Sequence, residues 1–526
     1  MSRNWKAFII SLTAVVSAVF FFSSGAVAKE KTLRMRVAYS VQNFDPGRYT
    51  LHETSVILRS VYDNLLDYKP GAWPEMENQL ATNYDITANG LEYTFTLKKG
   101  VQWQKGFGEV TSEDVRFSIE RVMDPANKAP MRSVWTAVID RIETPSRYTV
   151  KFFLKHPDPA FLAKLAPWRP GPIVSKKAVQ KFGKEYGMTP ETTVGCGPFE
   201  LVEYVPKQKV VLKRYEGYHG TAAKLDKIEI FVMADEGTAV LSLQKGELDM
   251  CYLRQPDNIP LVRKDRSLNL YQGSSATTKG FIAFNLENPI LKDVRVRRAM
   301  VHALDRDLIS ETVGGEMATR ACGFLAPGAY LGALDCDELR TYPYDPEKAK
   351  ALLAEAGYAK GFTIRYSEIN VKAHRDIAPA LQAYWSEVGI KTKIDLLPVK
   401  EWIGRGHKGN FDVIKYSMGT RPSEPSLFLH SNFHSSSTRP GLNFMAYKGM
   451  DNLLEEALAT TNENIRIAIY GVIQRKIIDE SLLIPIYYES LSMATSKRVD
   501  LGRGAKGKML TNPYWFFYWL EDIDIR

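Results

Sequence analysis

Apolar and polar residues follow two different periods along this chain, and segments of the two kinds interleave from Lys29 to Arg526. Runs with a period of two, such as Leu33 to Tyr39, predict strands. Apolar residues three and four apart predict helices, as from Glu53 to Leu65. Interleaved strands and helices are typical of α/β architecture, so we expect α/β lobes.

Local turn and capping signals identify elements in the first half of the chain. The Asn89-Gly90 dipeptide favours positive φ angles, so the segment Leu91 to Trp103 that follows it predicts a β-hairpin. Thr111 and Asp114 have the spacing of a helix capping box, which predicts a helix that ends near Met123. Further strands are predicted at Pro198 to Tyr215, Lys227 to Met233 and Lys279 to Pro289.

From Asp293 onward the chain changes to long amphipathic helices. The segments with apolar residues three and four apart are VRVRRAMVHAL, DPEKAKALLAEAGY, IAPALQAYWSEVGI and NLLEEALATT. Strand patterns lie between them in FTIRYSE, KTKIDLLPV and FDVIKYSM. This half of the chain therefore predicts a second α/β unit.

The first residues have the pattern of a secretory leader. Arg3 and Lys6 precede an apolar run from Ala7 to Phe22, and small residues at Ala26 and Ala28 follow it. This order predicts a signal peptide that is cleaved after Ala28, with a retained N-terminal anchor as the alternative. The run is shorter than the roughly 20 residues of a membrane-spanning helix, and no cysteine is present for lipidation near the cleavage point. We therefore expect a protein that is free in the periplasm.

Length and charge limit the function classes. The chain has 526 residues, more than one hydrophobic core usually serves, and its length predicts about three structural units. The 69 Lys and Arg residues exceed the 60 Asp and Glu residues by a formal charge of +9, without any basic block. Because nucleic acid binding needs a concentrated basic surface, this composition disfavours it.

All four cysteines lie in the part of the chain that is expected to be exported. Four cysteines permit three pairings, and the oxidising periplasm permits disulfides. Cys322 and Cys336 bracket a short segment with glycine and proline, and we favour that pair. Cys196 and Cys251 either form the second pair or remain buried thiols. No Cys-x-x-Cys spacing is present, so neither a metal site nor another cofactor is expected.

Several ordered blocks together resemble a known family. QLATNYDITANGLEYTFTLKKGVQW is followed by TSEDVRFSIERVMDP, and later segments are VGCGPFELVEYVPKQKVVLKRYEGYHG, LQKGELDM, FNLENPILKDVRVRRAMVHALDRDLI, WSEVGIKTKIDLLP and GNFDVIKYSMG. Their sequence and order resemble the extracellular solute-binding protein family 5, the dipeptide, oligopeptide and nickel binding proteins of ABC importers. The resemblance covers nearly the whole chain after the leader.

The resemblance implies a two-lobed periplasmic binding protein fold (class II-like, cluster C) with an inserted subdomain in the first lobe. The implied boundaries are 29–284 plus 493–526 for the first lobe, about 62–190 for the inserted subdomain and 285–492 for the second lobe. The implied function is capture of a peptide or peptide-like, acidic small solute between the lobes and its delivery to the permease subunits of an ABC importer, with the protein as a monomer.

The loop after FDVIKYSM is the first place to expect ligand contacts. In dipeptide-binding relatives the equivalent loop resembles Gly-Asp-x-x-Asp-Pro, and its first aspartate holds the ammonium group of the ligand. Counting back from Glu424-Pro425, Arg421 stands at that aspartate position. An arginine pairs two hydrogen bonds with a carboxylate or phosphate, so we hypothesise a ligand with an acidic group. The alternative is that Arg421 pairs with Glu424 or points to solvent.

Other residues are weaker candidates for ligand contacts. Arg375 precedes the helix IAPALQAYW and is a second candidate for a ligand carboxylate, although a solvent-facing position is the commoner one. Glycine allows close backbone approach, and aromatic rings give stacking surfaces, although core packing is the commoner fate of such rings. The remaining candidates are Tyr39, Ser40, Asn43, Gly195, Cys196, Trp402, Tyr416 and Met418. His430 and His434 are four apart, a spacing that can bind metal, but no third ligand is evident.

Other function classes have less support. The chain has no Gly-x-Ser-x-Gly, His-Glu-x-x-His or Walker motif, so an enzyme is not expected. Two alternatives use the same two-lobed closure. One is an opine or sugar-conjugate binding protein of the same importer class, and the other is a periplasmic receptor that presents its ligand to a sensory partner.

Overall fold

The structure is a computed structural model that describes residues 30–48, 52–69, 75–166, 171–273, 277–278, 280–370, 377–416, 424–439, 441–490, 492–502 and 519–526. The chain divides into two compact units, residues 1–30 and 31–526, and the described helices and strands lie in the second. The predicted signal peptide lies outside the described residues.

A seven-stranded mixed sheet is the centre of the first lobe, in the order β12-β21-β11-β1-β10-β9-β8. Its central strand β1 runs parallel to β10 and β11. This strand confirms the strand prediction that begins at Leu33. Its strands are β1 (Thr32–Val37), β8 (Phe199–Val205), β9 (Lys209–Arg214), β10 (Lys227–Val232), β11 (Met250–Leu253), β12 (Leu268–Gln272) and β21 (Ser492–Ser496). The helices beside them are α1 (His52–Val61), α6 (Glu236–Gln244) and α7 (Ile259–Lys264).

The inserted subdomain has a four-stranded antiparallel sheet in the order β4-β5-β7-β6. Its strands are β4 (Ala81–Ile86), β5 (Glu92–Leu97), β6 (Ile139–Ser146) and β7 (Thr149–Leu154), and a separate pair is β2 (Leu66–Tyr68) with β3 (Met76–Asn78). Its helices are α2 (Ser112–Met123), α3 (Arg132–Thr136), α4 (Phe161–Lys164) and α5 (Lys176–Phe182).

The turn at Asn89-Gly90 joins β4 to β5, so the hairpin comprises the strands on either side of it. The prediction of a hairpin within Leu91 to Trp103 is therefore wrong, although its turn residues are correct. Gly90 has a φ of 67°, the left-handed conformation that glycine adopts without steric cost. The capping box at Thr111 is confirmed, since the Thr111 N–H donates to the Asp114 carboxylate at 2.9 Å and α2 ends at Met123.

The second lobe contains a five-stranded sheet in the order β17-β16-β18-β14-β19. Its strands are β14 (Phe281–Phe284), β16 (Phe362–Ile369), β17 (Ile390–Leu397), β18 (Val413–Tyr416) and β19 (Leu483–Pro485). Its helices are α8 (Val294–His302), α9 (Arg306–Gly314), α10 (Pro346–Glu355), α11 (Ile377–Glu387), α12 (Val399–Lys408), α13 (Ser426–Phe433), α14 (Asp451–Ala459) and α15 (Glu463–Asp479). The four amphipathic helix predictions from Asp293 onward match α8, α10, α11 and α14.

Strand β14 pairs with β18 and β19, so it belongs to the second sheet and not to the end of the first lobe, where the sequence places it. Its four residues are apolar and buried on both faces, which a central strand of a covered sheet requires. The strand that contains residue 284 thus pairs within the five-stranded sheet, and the lobe boundaries stay a prediction.

Two short strands connect the lobes. β13 (Thr277–Thr278) precedes β14, and β20 (Tyr487–Glu489) follows β19, so the chain crosses between the two large sheets once in each direction. The two strands pair with each other, and β15 (Ala318–Arg320) pairs with β20 on its other side. Next to this pairing, the Ile486 N–H donates to the Gly280 carbonyl at 2.6 Å. The connection is therefore a narrow ribbon.

The apolar residues form one large core in each lobe and a smaller third cluster. The core of the first lobe contains buried residues from Leu33 to Tyr252 and from Met493 to Ile525, including residues of the short pair β22 (Val499–Asp500) and β23 (Asp524–Ile525). The core of the second lobe extends from Phe281 to Tyr488. The two large cores are separate, and the smaller cluster packs Met317, at the end of the segment after α9, against first-lobe residues between Ala239 and Leu268. Each large core lets its lobe act as one body in the two-lobed α/β fold.

The four cysteines have two different states. Cys322 and Cys336, the favoured pair, form a disulfide with an S–S distance of 2.05 Å. Cys196 and Cys251 are buried free thiols. Within the described ranges, none of the helices combines the length and the apolar character that crossing a membrane requires.

Candidate ligand-binding site

The carboxyl ends of three parallel strands lie at one edge of the second-lobe sheet. β16 runs parallel to β17 on one side and to β18 on the other, with Ile369 opposite Leu397 and Ser367 opposite Ile414. In open α/β sheets, ligands bind in the crevice beyond the carboxyl ends of such strands. This edge, which we call the strand-end edge, is therefore the candidate site on the second lobe.

A buried ion pair lies beside the strand-end edge. The Lys415 ammonium, on β18, is 2.9 Å from the Glu368 carboxylate on β16, and the two side chains are 1% and 0% exposed. The Tyr366 hydroxyl donates to the other Glu368 oxygen at 2.9 Å. Burial, followed by the Glu368 carboxylate, raises the pKa of Tyr366 well above its usual range, so the hydroxyl remains a donor. The pair fixes the last residues of two adjacent strands relative to each other.

Trp402 and Tyr416, two of the predicted aromatic contacts, lie together at this edge. Their rings are stacked with centroids 6.3 Å apart and an angle of 19° between the planes. Phe444 meets both rings edge-on, at 5.7 Å from Trp402 and 5.6 Å from Tyr416. Trp402 is only 8% exposed, so most of its surface packs in the core. The Tyr416 ring is partly exposed and is the better placed of the two for a ligand.

Glu424 begins the described chain after the loop that carries Arg421. Its carboxylate accepts from the Arg466 guanidinium at 3.3 Å, from the Tyr470 hydroxyl and from the backbone N–H of Ser426 at 3.1 Å. Burial, followed by the charge of Glu424, raises the pKa of Tyr470 far above its usual range. The Glu424 charge is thus compensated by two side chains of α15. Glu424 is the pairing partner that the alternative prediction for Arg421 names.

Three predicted contacts lie after β1 in the first lobe, beyond the carboxyl end of its central strand. Tyr39 is 56% exposed, an unusual position for a large aromatic side chain. Ser40 donates to the Val41 carbonyl at 3.2 Å and accepts from the Lys207 N–H at 3.1 Å. Asn43 accepts from the Asp45 N–H at 3.2 Å. Ser40 and Asn43 therefore hold the loop, and Tyr39 is the side chain that this loop presents outward.

Gly195 and Cys196 pack inside the first lobe. A Cβ at position 195 would overlap the Val61 carbonyl at the end of α1, so the close approach that this glycine permits is to the protein's own backbone. Cys196 is fully buried in the core, and burial, followed by Asp63, raises the pKa of its thiol well above the usual range. Neither residue presents a side chain to the strand-end edge, because both are used to pack α1 against β8.

Three predicted contacts, Arg421, Arg375 and Met418, lie outside the described residues. Their positions along the chain follow the strand ends that the structure does describe. β16 ends at Ile369, before Arg375, and β18 ends at Tyr416, before Met418 and Arg421. The two arginines remain predictions.

The two spaced histidines stack on each other. The rings of His430 and His434 have centroids 4.1 Å apart and an angle of 12° between the planes. His434 Nε2 lies 3.2 Å from the Glu455 carboxylate. Burial, followed by His434, lowers the pKa of His430. In the part of the chain that the structure describes, no group of three or more histidine, cysteine, aspartate or glutamate side chains is arranged to hold a metal ion.

The Lys415 and Glu368 pair was not predicted from the sequence. A signal was present for Lys415, the single charged residue of the strand VIKY, whereas β16 contains both Arg365 and Glu368 among polar residues. Charged side chains are almost never fully buried without a partner, so the strand VIKY predicts that Lys415 has one. The partner itself was not identifiable, because 47 positions separate the two residues and only the parallel pairing of β16 with β18 brings them together.

Comparison with known proteins identifies a matching family model and similar binding proteins. The model of bacterial extracellular solute-binding proteins, family 5 Middle, matches residues 75–439. The dipeptide-binding protein of Escherichia coli (strain K12) is 28% identical over 506 residues, 90% of this chain and 92% of that protein. The periplasmic binding protein DppA of Helicobacter pylori, solved in complex with the peptide STSA, has a TM-score of 0.77 and 25% identity, and the match covers 94% of this chain and 98% of that chain.

A second solved relative has a different ligand. The binding protein MoaA of A. tumefaciens R10, in complex with mannopinic acid, has a TM-score of 0.76 and 26% identity over 94% of this chain and all of that chain. The family match spans well over half of the 526 residues, and the solved relatives share the arrangement of sheets. The chain belongs to the bacterial extracellular solute-binding proteins of family 5.

Proposed function

We propose that the protein is the periplasmic substrate-binding protein of an ABC importer and that it captures a peptide or peptide-like solute with an acidic group between its lobes. The observation that carries the proposal is the pair of separate large cores, which are joined by the narrow ribbon of β13 and β20 and by the small cluster around Met317. A solute that touches both lobes has a higher affinity for the closed state, so binding shifts the population toward closure. The importer's permease then recognises the closed form.

The peptide class is supported by the relatives. Curated proteins that are 28% identical to this chain include a dipeptide-binding protein, a di/tripeptide-binding protein and a glutathione-binding protein. Arg421 and Arg375 are the proposed anchors for the acidic group, with Tyr39 and Tyr416 as ring contacts from the two lobes. Glu424 already has a cationic partner in Arg466, which favours Arg421 as a ligand contact over its pairing with Glu424.

An opine or sugar-conjugate ligand is the second candidate. The relative solved with mannopinic acid supports it, because that ligand is also an acid. A third use of the same closure is presentation of the ligand to a sensory partner. Mass spectrometry of the solute that co-purifies from the native host distinguishes the first two, and a neighbouring permease and ATPase in the gene cluster supports import over sensing.

Lobe boundaries, export and assembly are part of the proposal. We place the first lobe before β13 and after β20, and the second lobe between these strands, with the inserted subdomain at about 62–190. Residues 1–28 act as a signal peptide, the mature chain carries no lipid, and it works as a monomer without catalytic turnover. Recovery of a chemically altered product after incubation with the solute would contradict this binding function.

The Arg421→Asp variant tests the anchor. We expect the affinity for a peptide with a free carboxylate to fall at least about tenfold, 1.4 kcal/mol, because a paired charge becomes a repelling one. The measurement is isothermal titration calorimetry. Arg340→Asp is the control, since Arg340 belongs to the second lobe, is 55% exposed and changes the net charge equally. Equal affinities in the wild type and Arg421→Asp would remove Arg421 from the site.

A further inference from the structure

A cavity of about 250 Å³ lies between the inserted subdomain and the second lobe, apart from the strand-end edge. We call it the distal cavity. The inserted subdomain supplies a mainly apolar wall, which consists of Ile86, Tyr93, Pro157, Pro159 and Leu162. Ile86 ends β4, Tyr93 lies on β5 and Leu162 lies on α4, so regular elements hold most of this wall in place.

The second lobe supplies the polar wall, from the connection between α14 and α15. Thr460 and Thr461 offer hydroxyl groups, and Arg466 contributes its guanidinium. Arg466 is already engaged, because it pairs with Glu424 at 3.3 Å and donates to the Thr460 carbonyl at 3.2 Å. This wall therefore offers neutral hydrogen-bonding groups and no uncompensated positive charge.

The charge on the other wall is also compensated. Asp158 lines the cavity and forms an ion pair with Lys164, and both side chains are 1% exposed. Among the described residues that line the cavity, Glu463 carries the remaining charge, and its side chain is 65% exposed to solvent. Moving a charged group out of water requires a compensating partner, whereas an uncharged group has no such requirement. The lining thus favours an uncharged occupant with an apolar body.

Contact between the lobes completes the cavity. At the tip of the turn between β4 and β5, a Cβ at Gly90 would lie only 2.7 Å from Thr461 Cγ2. The turn and the loop before α15 are therefore closely fitted. Because the two walls belong to different lobes, an occupant that touches both walls favours the approach of the lobes.

The distal cavity is also linked to the proposed anchor. Arg466 lines the cavity and binds Glu424, and Glu424 directly follows the loop that carries Arg421 in the sequence. One ion pair therefore connects the lining of the cavity to the residue that follows this loop in the chain. An apolar cavity of about 150 Å³ is large enough to bind benzene, so this one is large enough for a ring or a branched aliphatic side chain.

We propose that the distal cavity is a second compartment of the ligand site, which receives an uncharged, mainly apolar group of the solute when the lobes close. This inference depends on the proposed function and narrows its ligand class. The solute is an amphipathic acid, with its charged group at the strand-end edge and its apolar group in the distal cavity. Apolar peptides fit this description better than sugar conjugates, which carry many hydroxyl groups.

The Ile86→Trp variant fills the cavity from an exposed position. Val202→Trp is the matched control, because Ile86 and Val202 are 43% and 44% exposed and both lie on strands of the first lobe, while Val202 is not among the residues that line the cavity. The probes are Ala-Ala, Ala-Leu and Ala-Phe, measured by calorimetry. In Ile86→Trp we expect about tenfold weaker binding of Ala-Leu and Ala-Phe, and Ala-Ala within about twofold of the wild type. Val202→Trp should bind all three peptides as the wild type does.

A second measurement does not depend on peptide binding. Saturation-transfer NMR with indole, an uncharged aromatic probe, should give a signal with the wild type and Val202→Trp that Ile86→Trp loses. Absence of an indole signal in the wild type overturns the inference. Peptides that bind with the same affinity in both variants overturn the inference but leave the binding function intact. If no peptide binds but indole does, the result supports the distal cavity as a binding site for an apolar group. The same result contradicts the peptide class of the proposed function.

Discussion

The two lobes secure the ends of their central strands in different ways. In the first lobe, the buried Arg36 of β1 donates to the carbonyls of Met233, Ala234 and Tyr252, which lie at the ends of β10 and β11. In the second lobe, the buried Lys415 of β18 pairs with the Glu368 side chain of β16. The first lobe relies mainly on backbone acceptors, with the Glu236 carboxylate 3.6 Å from the Arg36 guanidinium as an additional buried partner, whereas the second lobe relies on two side chains.

The difference predicts where sequence changes have the larger effect. Backbone carbonyls are present whatever residue supplies them, so three of the Arg36 contacts depend on the arginine side chain alone. A buried ion pair depends on two side chains, and loss of either leaves a charge without its partner. The second lobe, which also carries the predicted ligand anchors, is therefore the more sensitive of the two.

The largest expected effect is that of Glu368→Gln. This variant leaves the Lys415 ammonium buried without its carboxylate, and we expect the free energy of unfolding to fall by about 3 kcal/mol, measured by urea denaturation. Glu401→Gln is the control, because Glu401 is 54% exposed and pairs with Arg405 at 3.3 Å at the surface. The control should lose less than about 1 kcal/mol. Similar losses in both variants would contradict the comparison of the lobes.

An intermediate effect is expected at the contact between the lobes. Gly90→Ala and Gly100→Ala both place a Cβ at a positive φ, 67° and 80°, at a cost of about 1 kcal/mol each. Gly100 has nothing within 4 Å of that Cβ, whereas Gly90 meets Thr461. We therefore expect solution scattering to report a larger radius of gyration for Gly90→Ala alone.

Thr461→Gly tests the cause of that change. It removes the opposing methyl group, so it should restore the wild-type scattering profile in the Gly90→Ala background. Identical profiles for the two alanine variants would mean that the contact does not influence closure.

The smallest expected effect concerns pH and His430. Burial and His434 lower the pKa of His430, His156 acts in the same direction, and Asp451 and Glu455 oppose them. The unfolded chain then binds a proton more readily, so stability is complete above the unfolded pKa of about 6.5 and falls as the pH drops through that value. His430→Gln should reduce the slope of unfolding free energy against pH between about 7 and 5.

His407→Gln is the control for this slope, since His407 lies in the same lobe and its ring faces Phe444 instead of another imidazole. Denaturation midpoints at a series of pH values give the slopes. A slope in His430→Gln equal to that of the wild type would mean that other groups cause the acid sensitivity.

Prediction from sequence succeeded where the signal was local. The capping box at Thr111 and the helix α10 after Asp345 depend on residues within a few positions of each other. It failed for α13, because the segment Ser426–Phe433 follows a turn-rich loop and has no clear polar face. It also failed for the hairpin of β4 and β5, where the turn was recognised but its partner strand was not.

The site was predictable only in part. Trp402 and Tyr416 were named separately, and the structure stacks them. Cys196 was named as a contact, and packing against α1 places it in the core. Arg421 was named because it stands at the position of an aspartate in the similar loop of dipeptide-binding relatives. Its contact with the ligand stays a prediction.

The sequence alone determined the interleaved strands and helices, the family and the short cysteine loop, because each of these depends on neighbouring residues or on the order of motifs. Only the tertiary structure decided which strand belongs to which lobe, which charges are paired, and that the turn at Gly90 meets the loop at Thr461. These contacts join residues that are tens to hundreds of positions apart. Their energies come from burial and pairing, which exist only after the chain has folded.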